Sequence, residues 1–364
     1  IGLGRFAFPP ILPALVNEGW FTASQAAYLG AANLAGYLAG AVLALALATR
    51  TSPKTALRGC MLLAAISFIA CASPLPFAWF AAWRFLAGAA GAVLMVLAAP
   101  TVMPFVPRER LGLAGGLIFT GVGLGIALSG TLVPTTLSWG LTETWIALGA
   151  LALVLTAASW NSWPKAQAAS GTKQPRNSPA LLSLYVEYGL NAMGLVPHMV
   201  FWVIFIAQGL DKGITVGAFH WVLFGIGAVA GPVTAGFWAD RFSFLAVLRC
   251  GYLLQAAFIG VIAITDIADQ MAVLALSSLI MGAFVPVCTT LVLGRLRELI
   301  PDDPEEQTGG WRWTTITFSI GLAGGAYALS YLFEWQGNYL PLFAVGSGAL
   351  FLAFVLNLAF GRKT

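Results

Sequence analysis

Charge is what this chain has least of. Only 9% of its 364 residues are Asp, Glu, Lys or Arg, against about 25% in soluble domains. That is too little to cover a water-facing surface, and it excludes a soluble globular fold. Histidine is scarcer still, with two residues. Nothing in the chain has the pattern of a metal cluster, a nucleophilic triad or a phosphate loop. Gly121, Gly123 and Gly125 mimic a dinucleotide fingerprint, but they sit inside an apolar run, the wrong setting for one. No cofactor, no metal and no enzymatic chemistry are therefore expected. Cys60, Cys71, Cys250 and Cys288 all lie in apolar stretches without a CxxC, which argues against a disulfide framework. The apolar content excludes disorder, and the lack of a glycine period excludes a collagen-like repeat. The pI near 9.0 does not imply nucleic acid, because the basic residues are dispersed and no aromatic-interleaved patch exists.

What is present is apolar. Residues of that class make up 59% of the chain, and the mean hydropathy is +0.86. The apolar runs predict twelve membrane helices, spans 1 to 12, over 1–17, 24–48, 56–73, 76–100, 109–133, 140–160, 180–208, 215–238, 244–264, 270–293, 311–333 and 338–360. The few charges are sorted among the gaps. Fifteen of 18 basic residues fall in or beside alternate gaps: Arg50, Lys54, Arg58; Arg108, Arg110; Lys165, Lys173, Arg176; Arg241, Arg249; Arg295, Arg297, Arg312; Arg362, Lys363. The opposite gaps hold only Lys212. This is the positive-inside pattern. It predicts a multi-pass protein of a bacterial inner membrane with both termini cytoplasmic. An odd number of spans would strand Arg362 and Lys363 on the acidic side.

The longest polar gap, 161–179, falls at the midpoint and carries Pro164, Gly171, Pro175 and Pro179. It divides the chain into an N-terminal six-helix bundle (1–160), a cytoplasmic linker (161–179) and a C-terminal six-helix bundle (180–364), the arrangement of a duplicated half. Span 1 is too short to cross a bilayer alone, so it is expected to be truncated by ten to fifteen residues. The polar stretch 295–306 is expected to form a short surface helix, because Leu296, Leu299 and Ile300 share one face.

Glycine is abundant, 41 residues, and much of it recurs at helical spacing in spans 2, 5, 8 and 11. Such faces let helices approach closely. Their equivalent positions in a duplication predict gliding surfaces between two bundles. Pro9, Pro10, Pro13, Pro197, Pro232 and Pro286 fall inside spans. Each frees a carbonyl that needs another partner in lipid.

Three charges stand at membrane depth: Arg5, Arg84 and Glu187. Each costs about 2.5–3.5 kcal/mol there on insertion scales unless it pairs or faces water. Two guanidinium groups favour an anionic or zwitterionic ligand. A carboxylate in such a place suits proton coupling, which is assigned to Arg84 and Glu187. Asn33, Tyr37, Asn191 and His198 join Arg5 as polar candidates for a substrate cavity.

Two motifs carry a resemblance. Gly231 to Arg241, with Gly236, Asp240 and Arg241, followed by Arg249, resembles the signature of the major facilitator superfamily. Trp83-Arg84 with Gly88 and Gly91 resembles that family's helix 4 motif. Gly2 to Pro13 and Ala32 to Gly40 are similar to the first two helices of its YbfB/YjiJ-like branch. The resemblance covers the full chain. It implies an all-α membrane protein of the major facilitator fold, with twelve transmembrane helices in two pseudo-symmetric six-helix bundles. It implies a cytoplasmic gate formed by Gly236, Asp240, Arg241 and Arg249, and it ties Arg84 to proton coupling. The segment from Ala48 to Lys54, where a second gate motif belongs, lacks the aspartate.

The expected function is secondary transport of a small organic anion or amphipathic compound by alternating access, coupled to protons, with efflux favoured. An uptake symporter and a transport-inactive scaffold or ligand sensor are the alternatives. The partners are a small-molecule substrate, protons and the lipid bilayer. The chain is expected to act as a monomer.

Overall fold

The computed structural model describes residues 2–102, 105, 111–164, 173–176, 178–264, 269–301 and 303–361. Arg108, Arg110, Lys165, Arg362 and Lys363 among the sorted charges lie outside them, as do 165–172 and 177 of the linker. The described chain is helical throughout its spans. Span 1 is α1 (Gly2–Phe6) and α2 (Phe8–Asn17); spans 2 to 6 are α3 (Ala23–Arg50), α4 (Pro53–Ala70), α5 (Phe77–Val102), α6 (Leu111–Leu137) and α7 (Leu141–Ser159). Span 7 is α8 (Pro179–Val196), a π turn (Pro197–Phe201), α9 (Trp202–Ile204) and a second π turn (Phe205–Gly209). Spans 8 to 12 are α10 (Gly213–Phe242), α11 (Phe244–Ile262), α12 (Met271–Leu299), α13 (Pro304–Gln336) and α14 (Leu340–Phe360). Ten of these spans are long and apolar enough to cross a membrane on the described residues alone; span 1 and the shorter apolar stretch Gly121–Leu137 of α6 complete the twelve.

Helix starts follow local chemistry. Thr22 and Gln25 form a reciprocal capping box ahead of α3. Ser52 and Ser178 cap α4 and α8, each followed by a proline whose missing N–H is no loss at that position. The outer faces carry large exposed apolar side chains such as Leu43, Val154 and Phe351. In water this would be costly; against lipid it is the required surface. Trp79, Trp139 and Trp335 are exposed at helix ends beside the acid-bearing gaps, where an aromatic belt belongs.

Two expectations are corrected. No separate helix forms over 295–306. α12 continues to Leu299 and α13 begins at Pro304. Leu296 is fully buried and Arg295 donates to the Gly361 carbonyl, so this stretch packs as helix end. The glycines of spans 2 and 8 are also not gliding surfaces between bundles. A Cβ on Gly36 would collide with the Phe85 carbonyl, and one on Gly88 with the Asn33 carbonyl, so α3 and α5 meet backbone to backbone. The same happens between α10 and α12: Gly227 meets the Leu279 carbonyl and Gly282 meets that of Phe224. The spacing is identical, since Asn33 precedes Gly36 by three as Phe224 precedes Gly227. Gly40 against Ala89 is likewise repeated by Gly231 against Ala283. The duplication is thus visible as one close-packed helix pair built twice. In this register Arg84 corresponds to Ser278.

The chain divides into two compact units: Ile1–Ala169 with Trp202–Val222, and Ser170–Phe201 with Leu223–Thr364. The later part of span 7 and the start of α10 therefore group with the N-terminal residues. The division at Phe201 coincides with the first π turn. Pro197 has no N–H to give the Met193 carbonyl, and a π turn is one way to accommodate that loss.

Candidate functional site

In the first unit the polar groups gather around span 1. Ala7 interrupts the helix between α1 and α2, and Pro9 and Pro10 open α2. Pro10 cannot donate to the Phe6 carbonyl four residues back. That carbonyl instead accepts from Ser129 Oγ at 3.0 Å and from Trp221 Nε1 at 3.1 Å, and the two donors lie 3.0 Å apart. The break also sets Phe8 beneath Arg84, whose guanidinium carbon is 4.4 Å from the ring centroid. Arg84 is 3% exposed. Its Nε is buried with no hydrogen-bond partner among the described residues. Arg5 lies 4.5 Å from the Tyr37 ring centroid and 5.2 Å from that of Phe6. A desolvated cation over an aromatic face gains about 2 kcal/mol, which offsets only part of the burial cost. Asn33 Nδ2 donates to the Arg84 carbonyl at 2.9 Å, holding α3 to α5. Arg5, Tyr37, Arg84 and Asn33 are thus joined to one another or to span 1.

In the second unit the predicted residues fall on α8 and the π turn after it, and each is engaged inside the unit. Glu187 is 1% exposed. Ser183 Oγ donates to its Oε1 at 2.5 Å, and Asn357 Nδ2 donates to its Oε2 at 2.8 Å. Asn191 Nδ2 donates to Gln255 Oε1 at 3.0 Å. His198 Nε2 is 2.8 Å from Ser277 Oγ, and its ring stands edge-on to Phe343. Glu187 therefore belongs with α14, Asn191 with α11, and His198 with α12 and α14.

Of the gate residues, Arg249 is placed by its contacts: Nε donates to Asn357 Oδ1 at 3.0 Å and Nη2 to the Asn357 carbonyl at 3.1 Å. Arg241 is exposed at the end of α10. Gly236 and Asp240 lie on α10, but their side chains fall outside the described residues. A groove of about 460 Å³ between α4 and α7, lined by Leu62, Leu153, Thr156 and Trp160, touches none of the predicted site residues. Sequence patterns do not single out Ser183, Ser129, Asn357 or the role of Trp221. A search of the spans for charge passes over them, because all four are neutral. The available signal is Asn357 itself, an amide in the last apolar run.

No group of three or more His, Cys, Asp or Glu that would hold a metal occurs among the described residues.

A crystal structure of a D-xylose-proton symporter superposes with a TM-score of 0.75, covering 100% of this chain and 96% of that one at 14% identity. The likeness establishes the major facilitator fold. A chloramphenicol resistance protein of Streptomyces lividans is 26% identical, covering 100% of this chain and 93% of the relative. Residues 1–358 match the family described as "Uncharacterised MFS-type transporter YbfB". The chain belongs to that family of major facilitator membrane transporters.

Proposed function

We propose that the protein is a proton-coupled secondary transporter that exports a small organic anion or an amphipathic compound with a polarised acceptor group. The observation that carries this reading is Arg84. It is a buried guanidinium stacked on Phe8, with an unpaired Nε and no carboxylate within ion-pair distance among the described residues. Leaving such a cation unneutralised is expensive. A substrate that arrives with negative charge or strong acceptors offsets that cost, and a guanidinium offers it a planar donor fork. Arg5, on the same broken span as Phe8, supplies a second cation. Asn33 and Tyr37 hold the two arginines in place. Glu187 is the proton-carrying group, with Asn191 and His198 as polar groups of the second unit.

Export is favoured because a relative carries the name of a chloramphenicol resistance protein, and removal of a drug from the cell is one physical route to resistance. Both termini are assigned to the cytoplasm by the positive-inside pattern, and alternation of access is assigned to rocking of the two six-helix bundles. The chain acts as a monomer in this reading.

The test is reconstitution in liposomes with an internal pH dye, screened against organic acids and chloramphenicol. At least one compound should move protons, and Arg84→Ala should abolish that movement without loss of the folded protein. A full panel with no proton movement, or an Arg84→Ala variant that transports normally, sinks the reading.

A further inference from the structure

The surroundings of Glu187 provide for two protonation states, and only one of them is drawn in the hydrogen bonds as they stand. Ser183 Oγ lies 2.5 Å from Glu187 Oε1 and also 3.3 Å from the Leu356 carbonyl. A hydroxyl has one proton to give and can accept as well. With Glu187 ionised, that proton points to Oε1. The second acceptor, the Leu356 carbonyl, waits within reach. On the other side of the carboxylate, Asn357 is fixed in one orientation. Its oxygen faces the Arg249 guanidinium, so its nitrogen must face Glu187. Oε2 therefore always meets a donor and cannot itself carry the proton without losing that bond. Oε1 is the oxygen left to receive it.

We infer that Ser183 and Asn357 make Glu187 a two-state proton site, in which the Ser183 hydroxyl turns from Glu187 Oε1 to the Leu356 carbonyl when Oε1 takes up a proton from solvent. One O–H bond forms, on Oε1. The Ser183 O–H bond stays intact and only rotates. The new Oε1–H donates to Ser183 Oγ, and Oε2 keeps the Asn357 donor. No polar atom of the cluster is left buried and unpaired in either state. This rests on the reading that Glu187 exchanges protons.

The consequence reaches the basic end of the helices. The charged groups facing Glu187 are Arg249 from α11 and Arg295 from α12, with Tyr252 of α11 the other titratable neighbour. α14 presents the neutral Asn357. α13 faces α8 through Thr317, Phe318 and Gly321. Asn357 is the only group bonded to both Glu187 and Arg249 in this cluster of described residues, and Arg249 stands in the gate motif. Neutralising Glu187 removes the charge that polarises the Asn357 amide toward Arg249. Asn357 is thus a positioning residue that joins proton uptake on α8 to the anchoring of α11 on α14.

The test is pH-difference infrared spectroscopy on the purified full chain, which needs no substrate. Wild type should show a protonated-carboxyl band that titrates, and Glu187→Gln should lose it. Ser183→Ala should raise the frequency of that band, because the acid O–H has lost its acceptor. Ser183→Thr, which keeps the hydroxyl, should restore it. Asn357→Ala should move the midpoint upward by about 1–2 pH units, since it removes a donor to the charged form. A band unchanged in Glu187→Gln overturns the proposal. So does an Asn357→Ala midpoint equal to wild type, or a Ser183→Ala frequency equal to wild type. Titration without proton-coupled flux would sink the transport coupling and leave the switch standing. Flux without titration at Glu187 would do the reverse.

Discussion

The indole nitrogen of Trp221 donates to the backbone carbonyl of Phe6 at 3.1 Å. The bond exists because Pro10 has withdrawn the helix's own donor from that carbonyl. A proline in span 1 thereby determines what α10 must supply, and Ser129 of α6 completes the arrangement.

Trp221→Phe keeps an aromatic ring and removes both hydrogen bonds. Leaving a buried carbonyl short of a donor costs about 1–3 kcal/mol. Ser129 remains as one donor, so the loss should lie at the lower end. The single variant Ser129→Ala should behave alike. The double variant should lose more than the two singles combined, because only then is the Phe6 carbonyl bare. Thermal melting of the three variants in one detergent checks this. Strict additivity would show that the two donors do not share the carbonyl.

Gly36→Ala, Gly88→Ala, Gly227→Ala and Gly282→Ala should each reduce folded yield sharply. Each added methyl meets a carbonyl of the facing helix and must push two helices apart, a cost of roughly 1–3 kcal/mol or more. Gly59→Ala and Gly91→Ala meet nothing within 4 Å. They should be unchanged or gain up to about 1 kcal/mol, as alanine does over glycine in a helix. Fluorescence-detected size exclusion separates the two groups. Unequal losses in the first and second halves would count against the equivalence of the two close pairs.

Asn33→Ala should weaken transport through Arg84 without touching the guanidinium. The amide holds the Arg84 backbone, so its loss costs about 1 kcal/mol of stability and loosens the stack on Phe8. The expected result is a modest fall in melting temperature with a larger rise in apparent KM. Arg84→Lys should fail as fully as Arg84→Ala, since an ammonium reproduces neither the stack nor the fork.

Much of the fold is legible in the order of the residues. Arg50, Arg58, Arg249 and Arg295 mark the ends of helices because lipid tolerates charge badly, and that penalty is written directly into spacing. Arg84 and Glu187 stand out for the same reason. Asn33 reads as buried and polar, but its partner is a backbone carbonyl, and sequence does not show where a carbonyl points. Asn357 escapes notice because an amide in an apolar run is far cheaper than a charge. The glycine faces are plain in the sequence, but their partners are not. Small residues say only that something comes close, and at Gly36 and Gly227 it is a helix of the same unit.

Lys173 pairs with Asp303 at 2.7 Å on the exposed linker. The hydrogen bond and charge of Asp303 raise the lysine above its usual 10.5. A raised lysine contributes stability that is fully present below pH 10.5 and is lost only as pH climbs through the higher folded value. The lysine therefore has no part in any pH response between about pH 5 and 8. Lys173→Ala should give a flux-against-pH curve that overlays wild type in that window. A displaced curve would implicate the linker in proton coupling.

The two π turns of span 7 have a consequence for how the chain tolerates length. A π turn holds one residue more than the α turn it replaces, and a helix of 3.6 residues per turn rotates about 100° for each residue gained. Removing one residue between Pro197 and Phe201 would swing the following stretch about 100° around its axis. Gln208, which now donates to Asn17 at 2.7 Å, would then face elsewhere. Span 7 behaves like a shaft with two couplings, and its tolerance is one of phase: a deletion here should do more harm than almost any substitution at the same positions.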